Sequence, residues 1–243
     1  MNLSTAEKID LWYALPTMID DETATRRCYP LLSAAEHAQT EHFQFPADRM
    51  TYLVTRALVR VVLSKYAALS PPEWRFEKNA YGRPQVARDC VPDPIHFSIS
   101  HTRELVICAV ATTEEIGVDT ESLGRQDISL ELAERYFAAS EIDAIKALPG
   151  QDQHRRILEH WTLKEAYIKA RGQGMHLPID GVAFAFGAGP HLSAVFDNSM
   201  GDTPTGWQFG HLAPINHHLV AYAVRPASDR PVRFEVMEEA PFA

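Results

Sequence analysis

Two short stretches of this 243-residue chain place carboxylates where they can act together. In IGVDTE, Asp119 and Glu121 stand two apart. A strand there would put both on one face, about 7 Å apart, with Val118 and Thr120 on the other. Such a pair can share a hard cation, Mg2+ above all, which takes a few carboxylates together with water and phosphate oxygens. In WTLKEAYIKA, a helix would line up Trp161, Glu165 and Lys169, leaving Leu163, Ala166, Tyr167 and Ala170 as an apolar stripe. Each stretch alone also has a plainer reading: a solvated strand face, and an exposed Glu165–Lys169 pair worth roughly a few tenths of a kcal/mol.

Cations that could meet a phosphate lie upstream. Arg49, Arg56 and Arg60 are seven and four apart, within about 40° of one another on a helix. They suit an anion site, or a snorkelling flank over apolar surface. Arg83 follows the glycine of YGRP, and Ser100 and His101 close FSISHT. The neutral imidazole of His101 can serve a ligand or a structural hydrogen bond.

These residues need elements to hold them. A strand is expected at about 8–15 and a helix from Ser33, where Ser33 and Glu36 have capping-box spacing. A long helix follows Phe45, since Met50, Leu53, Val54, Ala57, Leu58, Val61 and Val62 recur at i, i+3, i+4, i+7. Period two then takes over, with a hairpin turning at Tyr81-Gly82 and strands in IHFSIS and LVICAVA. The order repeats: a strand in IGVDTE, short helices at 128–137 and 140–147, and a long helix over 153–171 closed by Gly172. Strands follow in GVAFAF, WQFGHL and HLVAYAV. This predicts an α+β fold built by pseudo-duplication, two similar halves each with a small, mostly antiparallel sheet packed by a long helix. The join is placed near 112–115, giving an N-terminal half 1–113 and a C-terminal half 114–243, with the site in the crevice between them.

Composition narrows the function. Apolar residues at 46% and charged residues at 23% are ordinary for a soluble globular protein. The N-terminus lacks a signal-peptide pattern and no apolar run approaches a membrane span, so a cytoplasmic protein without membrane association is expected. Cys28, Cys90 and Cys108 are odd in number with no paired spacing, as for reduced thiols. His211, His217 and His218 lack metal-ligand spacing and are expected on surface loops and strands. A net charge of −9 disfavours a nucleic-acid partner. Any bound phosphate must therefore meet a local cationic cluster.

In chain order YGRP, FSISHT, IGVDTE and WTLKEAYIKA, the sequence resembles the 4′-phosphopantetheinyl transferases, particularly the surfactin-type subfamily of about this length with two similar halves. The resemblance runs from Ser33 to Phe184 and more faintly to HLVAYAV. It implies transfer of the phosphopantetheine arm of coenzyme A to a serine of an apo acyl or peptidyl carrier protein, releasing adenosine 3′,5′-bisphosphate. It further implies Mg2+ held by Asp119, Glu121 and Glu165, with Glu165 as base, directly or through water, and Lys169 on the pyrophosphate. Lys164, Arg83, Ser100 and His101 match coenzyme A contacts, and Glu141 a further acidic position. Surfactin-type relatives carry lysines for the 3′-phosphate where this chain has Glu36 and Gln39, so that contact is either lost or supplied by Arg49, with Arg56 as a second candidate. Segment 172–184 resembles the carrier-docking region, Gly172, Gly174, Met175 and Leu177 forming a small apolar patch. Carriers are usually acidic, as is this chain, so their transient recognition must be local and partly hydrophobic. Relatives are usually monomeric. Two other classes are compatible with the same carboxylates: a metal-dependent phosphodiesterase or nuclease, and a non-catalytic module binding coenzyme A or carriers. If Glu165 and Lys169 serve the site, Glu165 must turn toward Asp119 rather than pair with Lys169 on the surface.

Overall fold

The computed structural model describes residues 8–187, 192–212, 215, 217–227 and 232–239. The first half starts with strand β1 (Lys8–Ala14) and a single turn α1 (Asp21–Thr23), followed by α2 (Ala34–Thr40) and α3 (Pro46–Leu63). Ser33 and Glu36 close the expected capping box on α2. Pro46, with no N–H to satisfy, opens α3, whose apolar stripe buries Leu53, Val54, Ala57, Leu58 and Val62. The hairpin β2 (Phe76–Lys78) and β3 (Pro84–Val86) turns through Gly82, and β4 (His96–His101) and β5 (Val106–Ala111) complete the half.

The second half opens with β6 (Ile116–Ser122), then α4 (Leu130–Tyr136), α5 (Ala139–Lys146) and α6 (Gly150–Arg171). A second hairpin, β7 (Val182–Phe186) and β8 (Leu192–Phe196), precedes β9 (Gln208–Leu212), β10 (His218–Val224) and β11 (Arg233–Glu238). The sheet orders make the duplication visible. Strands run β1-β5-β4 in one sheet and β6-β10-β9 in the other, so each half orders its first, last and penultimate strands alike. β11 lies outside this symmetry and pairs in parallel with β1. The strands β8 and β11 and the helical turns between β1 and α2 were not foreseen.

Ile9, Leu11, Ile107 and Ala109 of the first sheet share a core with Ile116, Val118, Val220 and Val224 of the second. This burial welds the halves together. β4 lies alongside β6 in the same direction, without a backbone ladder. Instead the hydroxyl of Ser98 accepts from Val118 N–H at 3.0 Å, and that of Ser100 from Thr120 N–H at 3.3 Å. Two serines thus satisfy strand donors that would otherwise be buried unpaired. The three cysteines are free thiols. No helix among the described residues is long and apolar enough to cross a membrane.

Candidate active site

The site begins with a glycine. Alternation puts Gly117, Asp119 and Glu121 on the face of β6 toward α6. A Cβ on Gly117 would stand 1.9 Å from the carbonyl oxygen of Ala166 and 2.5 Å from Ala170 N. Only the bare backbone allows α6 so close, and this approach carries Glu165 and Lys169 to the carboxylates of β6.

There Lys169 Nζ donates to Asp119 Oδ1 at 2.7 Å, and Ser100 Oγ donates to the same oxygen at 2.7 Å. Asp119 Oδ2 is buried with no partner. Glu121 is bonded by Arg125, which also holds Asp127. Burial, reinforced by Asp119, pushes the Glu121 carboxyl up to about 7 against the pull of Arg125 and Lys169. Glu165 is raised in the same way, by burial first and then Asp119, while Lys169 and Arg125 oppose the shift. This coupling places Glu165 in the Asp119 field. The simple surface pair does not form; Lys169 reaches across to β6 instead.

Among the described residues no three histidine, cysteine or acidic side chains are gathered round a single point as a formed metal site. Lys169 and Arg125 instead occupy oxygens of Asp119 and Glu121 as internal counter-ions. The donor set nevertheless suits a hard cation. All its atoms are carboxylate oxygens, two of the three groups resist ionisation where they stand, and an orphaned buried oxygen lacks a positive partner.

Other expected contacts divide. The His101 imidazolium is disfavoured by loss of hydration, then by Lys169 and Arg56, with Asp119 opposing. Those groups therefore share one neighbourhood at the end of β4. Arg56 also lies over the Tyr52 ring, 5.0 Å from its centroid, with Nε 3.9 Å from Glu36. Arg49 is exposed on the first turns of α3 and makes no ion pair among the described residues. Arg60, by contrast, is buried and structural, donating to Trp74 O at 2.7 Å, Pro71 O at 3.3 Å and Glu36 at 2.6 Å. Glu36, clasped by Ser33 and Arg60, does not stand free to repel an anion.

Three expected coenzyme A contacts have other employment. Lys164 is fully buried, paired with Glu141 at 2.8 Å and donating to the carbonyls of Ile179 and Val182. No ligand phosphate can reach it. Arg83 donates to Ala170 O at 2.8 Å, Glu114 O at 2.9 Å and Ile116 O at 3.0 Å, tying the hairpin to the second half. The single proton of the Ser100 hydroxyl goes to Asp119. Glu141 is likewise structural: besides Lys164 it accepts from His160 Nδ1 and Phe184 N, each at 2.9 Å. Two further expectations also change. Leu177 is buried rather than part of a surface patch, and the Met175 side chain lies outside the described residues. His218 is buried and bonded to Thr102 at 3.2 Å rather than superficial.

A cavity of about 280 Å3 opens beside Glu165 and Lys169, walled by Tyr81, Phe97, Ile99 and Ile168. A larger one of about 650 Å3, across the hairpin, includes Arg83, Glu114 and Arg171 but none of the three site carboxylates. Sequence reasoning missed Tyr81, half exposed at the smaller cavity's mouth against His176, and Arg125. Arg125 had a signal, since it follows Glu121 by four residues.

Residues 21–113 match a family model described as the N-terminal part of 4′-phosphopantetheinyl transferases, and residues 115–223 match the model of the 4′-phosphopantetheinyl transferase superfamily. The chain is 34% identical over 158 residues to the 4′-phosphopantetheinyl transferase ffp of Bacillus subtilis, covering 64% of this chain and 67% of that one. The chain belongs to the 4′-phosphopantetheinyl transferase superfamily. Sfp of Bacillus subtilis is 33% identical over 156 residues, 63% of this chain and 66% of its own length. HetI of a Nostoc species is 29% identical over 170 residues, 70% and 71% of the two chains. In this transferase the two matched segments meet at the turn before β6, the strand that carries Asp119 and Glu121.

Proposed function

We propose that this transferase moves the phosphopantetheine arm of coenzyme A onto a serine of an acyl or peptidyl carrier protein, using the cluster between β6 and α6. The observation that carries this reading is the buried, unpartnered Asp119 Oδ2 beside Glu165 and Lys169. Asp119, Glu121 and Glu165 would hold a Mg2+ ion, which supplies charge neutralisation at the pyrophosphate as the bridging oxygen departs. Lys169, a flexible ammonium, leaves Asp119 to follow the phosphoryl group. Glu165 accepts the proton of the attacking serine hydroxyl, directly or through water. Its raised proton affinity brings it closer to working pH than an ordinary glutamate. The serine oxygen forms a bond to phosphorus, the bond to the adenylate side breaks, and adenosine 3′,5′-bisphosphate leaves.

Arg56 and the exposed Arg49 supply the cationic surface for the nucleotide phosphates, and the neutral ring of His101 offers a hydrogen bond beside them. The walls of the small cavity suit the pantetheine arm, and the exposed Tyr81 at its mouth suits a carrier docking transiently along 172–184. The reading includes a cytoplasmic monomer. Incubating the chain with coenzyme A, Mg2+ and a panel of fatty-acid, polyketide and peptide-synthetase apo-carriers should add one phosphopantetheine to a carrier, seen by intact mass. Asp119→Ala should abolish the addition with the circular-dichroism spectrum intact. No mass gain on any carrier would end the catalytic reading.

A further inference from the structure

Ser100 is 7% exposed, and both its hydrogen-bonding directions are accounted for. Its oxygen accepts from Thr120 N–H at 3.3 Å, and its one proton goes to Asp119 Oδ1 at 2.7 Å. A hydroxyl has a single donor, so Ser100 cannot hold Asp119 and also donate to a phosphate. The backbone donor belongs to the residue next to Asp119, so side chain and strand close a small ring around the aspartate.

A carboxylate turns readily about its last bond, a broad sp3–sp2 torsion. In this structure two donors hold Oδ1, Ser100 and Lys169, and Oδ2 is left buried without a partner. Lys169 is the mobile one of the two, its side chain 29% exposed on a flexible stem. Once it moves toward a pyrophosphate, Ser100 alone retains Oδ1. Ser98 provides an internal comparison. It also accepts a β6 amide, Val118 N–H at 3.0 Å, but alternation sets Gly117 beside it where Ser100 has Asp119. Ser98 thus serves the seam alone.

We infer that Ser100 is a positioning residue for Asp119, fixing the carboxylate by Oδ1 so that Oδ2 is the atom presented to a divalent cation. The inference rests on the proposed metal role of Asp119. The oriented hydroxyl prepares the ligand before the ion arrives, as partners behind metal ligands generally do.

The test uses the full chain without coenzyme A, titrated with Mn2+ while free Mn2+ is read by electron paramagnetic resonance. Ser100→Ala should weaken Mn2+ binding about tenfold, and Ser100→Thr, which keeps the hydroxyl, should recover to within about threefold. Ser98→Ala, matched for loss of a seam hydroxyl, should bind Mn2+ as the unaltered chain does. Coenzyme A affinity measured in chelator should be unchanged in Ser100→Ala. Near-native Mn2+ affinity in Ser100→Ala, while Asp119→Asn loses it, would overturn the positioning role and leave the metal reading intact. So would equal loss in Ser98→Ala and Ser100→Ala, or weakened coenzyme A binding in chelator, which would return the hydroxyl to a phosphate. Equal Mn2+ binding by the unaltered chain and Asp119→Asn would overturn the metal reading and this inference together.

Discussion

Glu121 and Glu165 differ from ordinary surface acids in how firmly they keep a proton. The Glu121 carboxyl is pushed up to about 7 and Glu165 is raised in the same direction, because burial penalises their charge and Asp119 adds repulsion. At pH 6 protons and a cation therefore compete for the same oxygens. The acid limb of kcat/KM should lie above the ordinary carboxylate range and move to lower pH as Mg2+ is raised. A pH–rate series at two metal concentrations checks this, and a limb unmoved by Mg2+ would contradict it. These carboxylates were legible in sequence because a strand's alternation and a helix's turn fix side-chain direction. The environment of the cations was not. Lys164 and Lys169, five apart on one helix, look alike as letters, yet one is sealed in the core with Glu141 and the other is partly exposed. What separates them is the packing of β7 against α5 and α6, a long-range property that local spacing cannot carry.

Glu141 shows what that packing depends on. Burial alone would raise its carboxyl, but the His160 hydrogen bond and the Lys164 ammonium more than offset burial and hold it below its usual value. A depressed carboxyl contributes stability that is present above its unfolded pKa and lost as pH falls through the folded one. Glu141→Gln, which leaves Lys164 buried without its counter-ion, should destabilise the fold by about 3 kcal/mol near pH 7. The gap to the unaltered chain should narrow below about pH 4. Urea unfolding at pH 7 and at about pH 3 measures both. At the junction of β6 and α6 the sensitive position is Gly117. Gly117→Ala should force the helix outward, costing about 2–3 kcal/mol and most of the turnover, because Glu165 and Lys169 move with α6. Thermal unfolding and steady-state rates would show the paired loss; a variant of normal stability and rate would refute the account. Helix boundaries were readable from Ser33, Pro46 and Gly172, which punctuate by backbone chemistry. The approach of two elements to contact distance was not, since a strand glycine can equally mark a bulge.

Across the whole molecule, the duplication read from repeated element order appears as two sheets of the same topology sharing one core. The pairing of β11 with β1 departs from it, and neither half predicts the other there. Arg83, on the first half's hairpin, spans that architecture through three carbonyls of the second. Arg83→Ala should cost roughly 2–3 kcal/mol through lost charged hydrogen bonds, and Arg83→Lys should not restore it, because one ammonium cannot reproduce the fork. Chemical denaturation of both variants would test this; full rescue by lysine would favour a simple charge role. The same contact has a mechanical consequence. Arg83 grips the carbonyl of Ala170, and Asn79 Nδ2 grips that of Gly172 at 2.7 Å, just where the left-handed Gly172 ends α6. The hairpin thus acts as a torsional stop on a shaft, setting the angle of α6 about its own axis. One residue inserted between Lys169 and Gly172 would turn the gripped end by about 100° relative to the lysine. The halves would stay joined while Glu165 and Lys169 pointed away from Asp119.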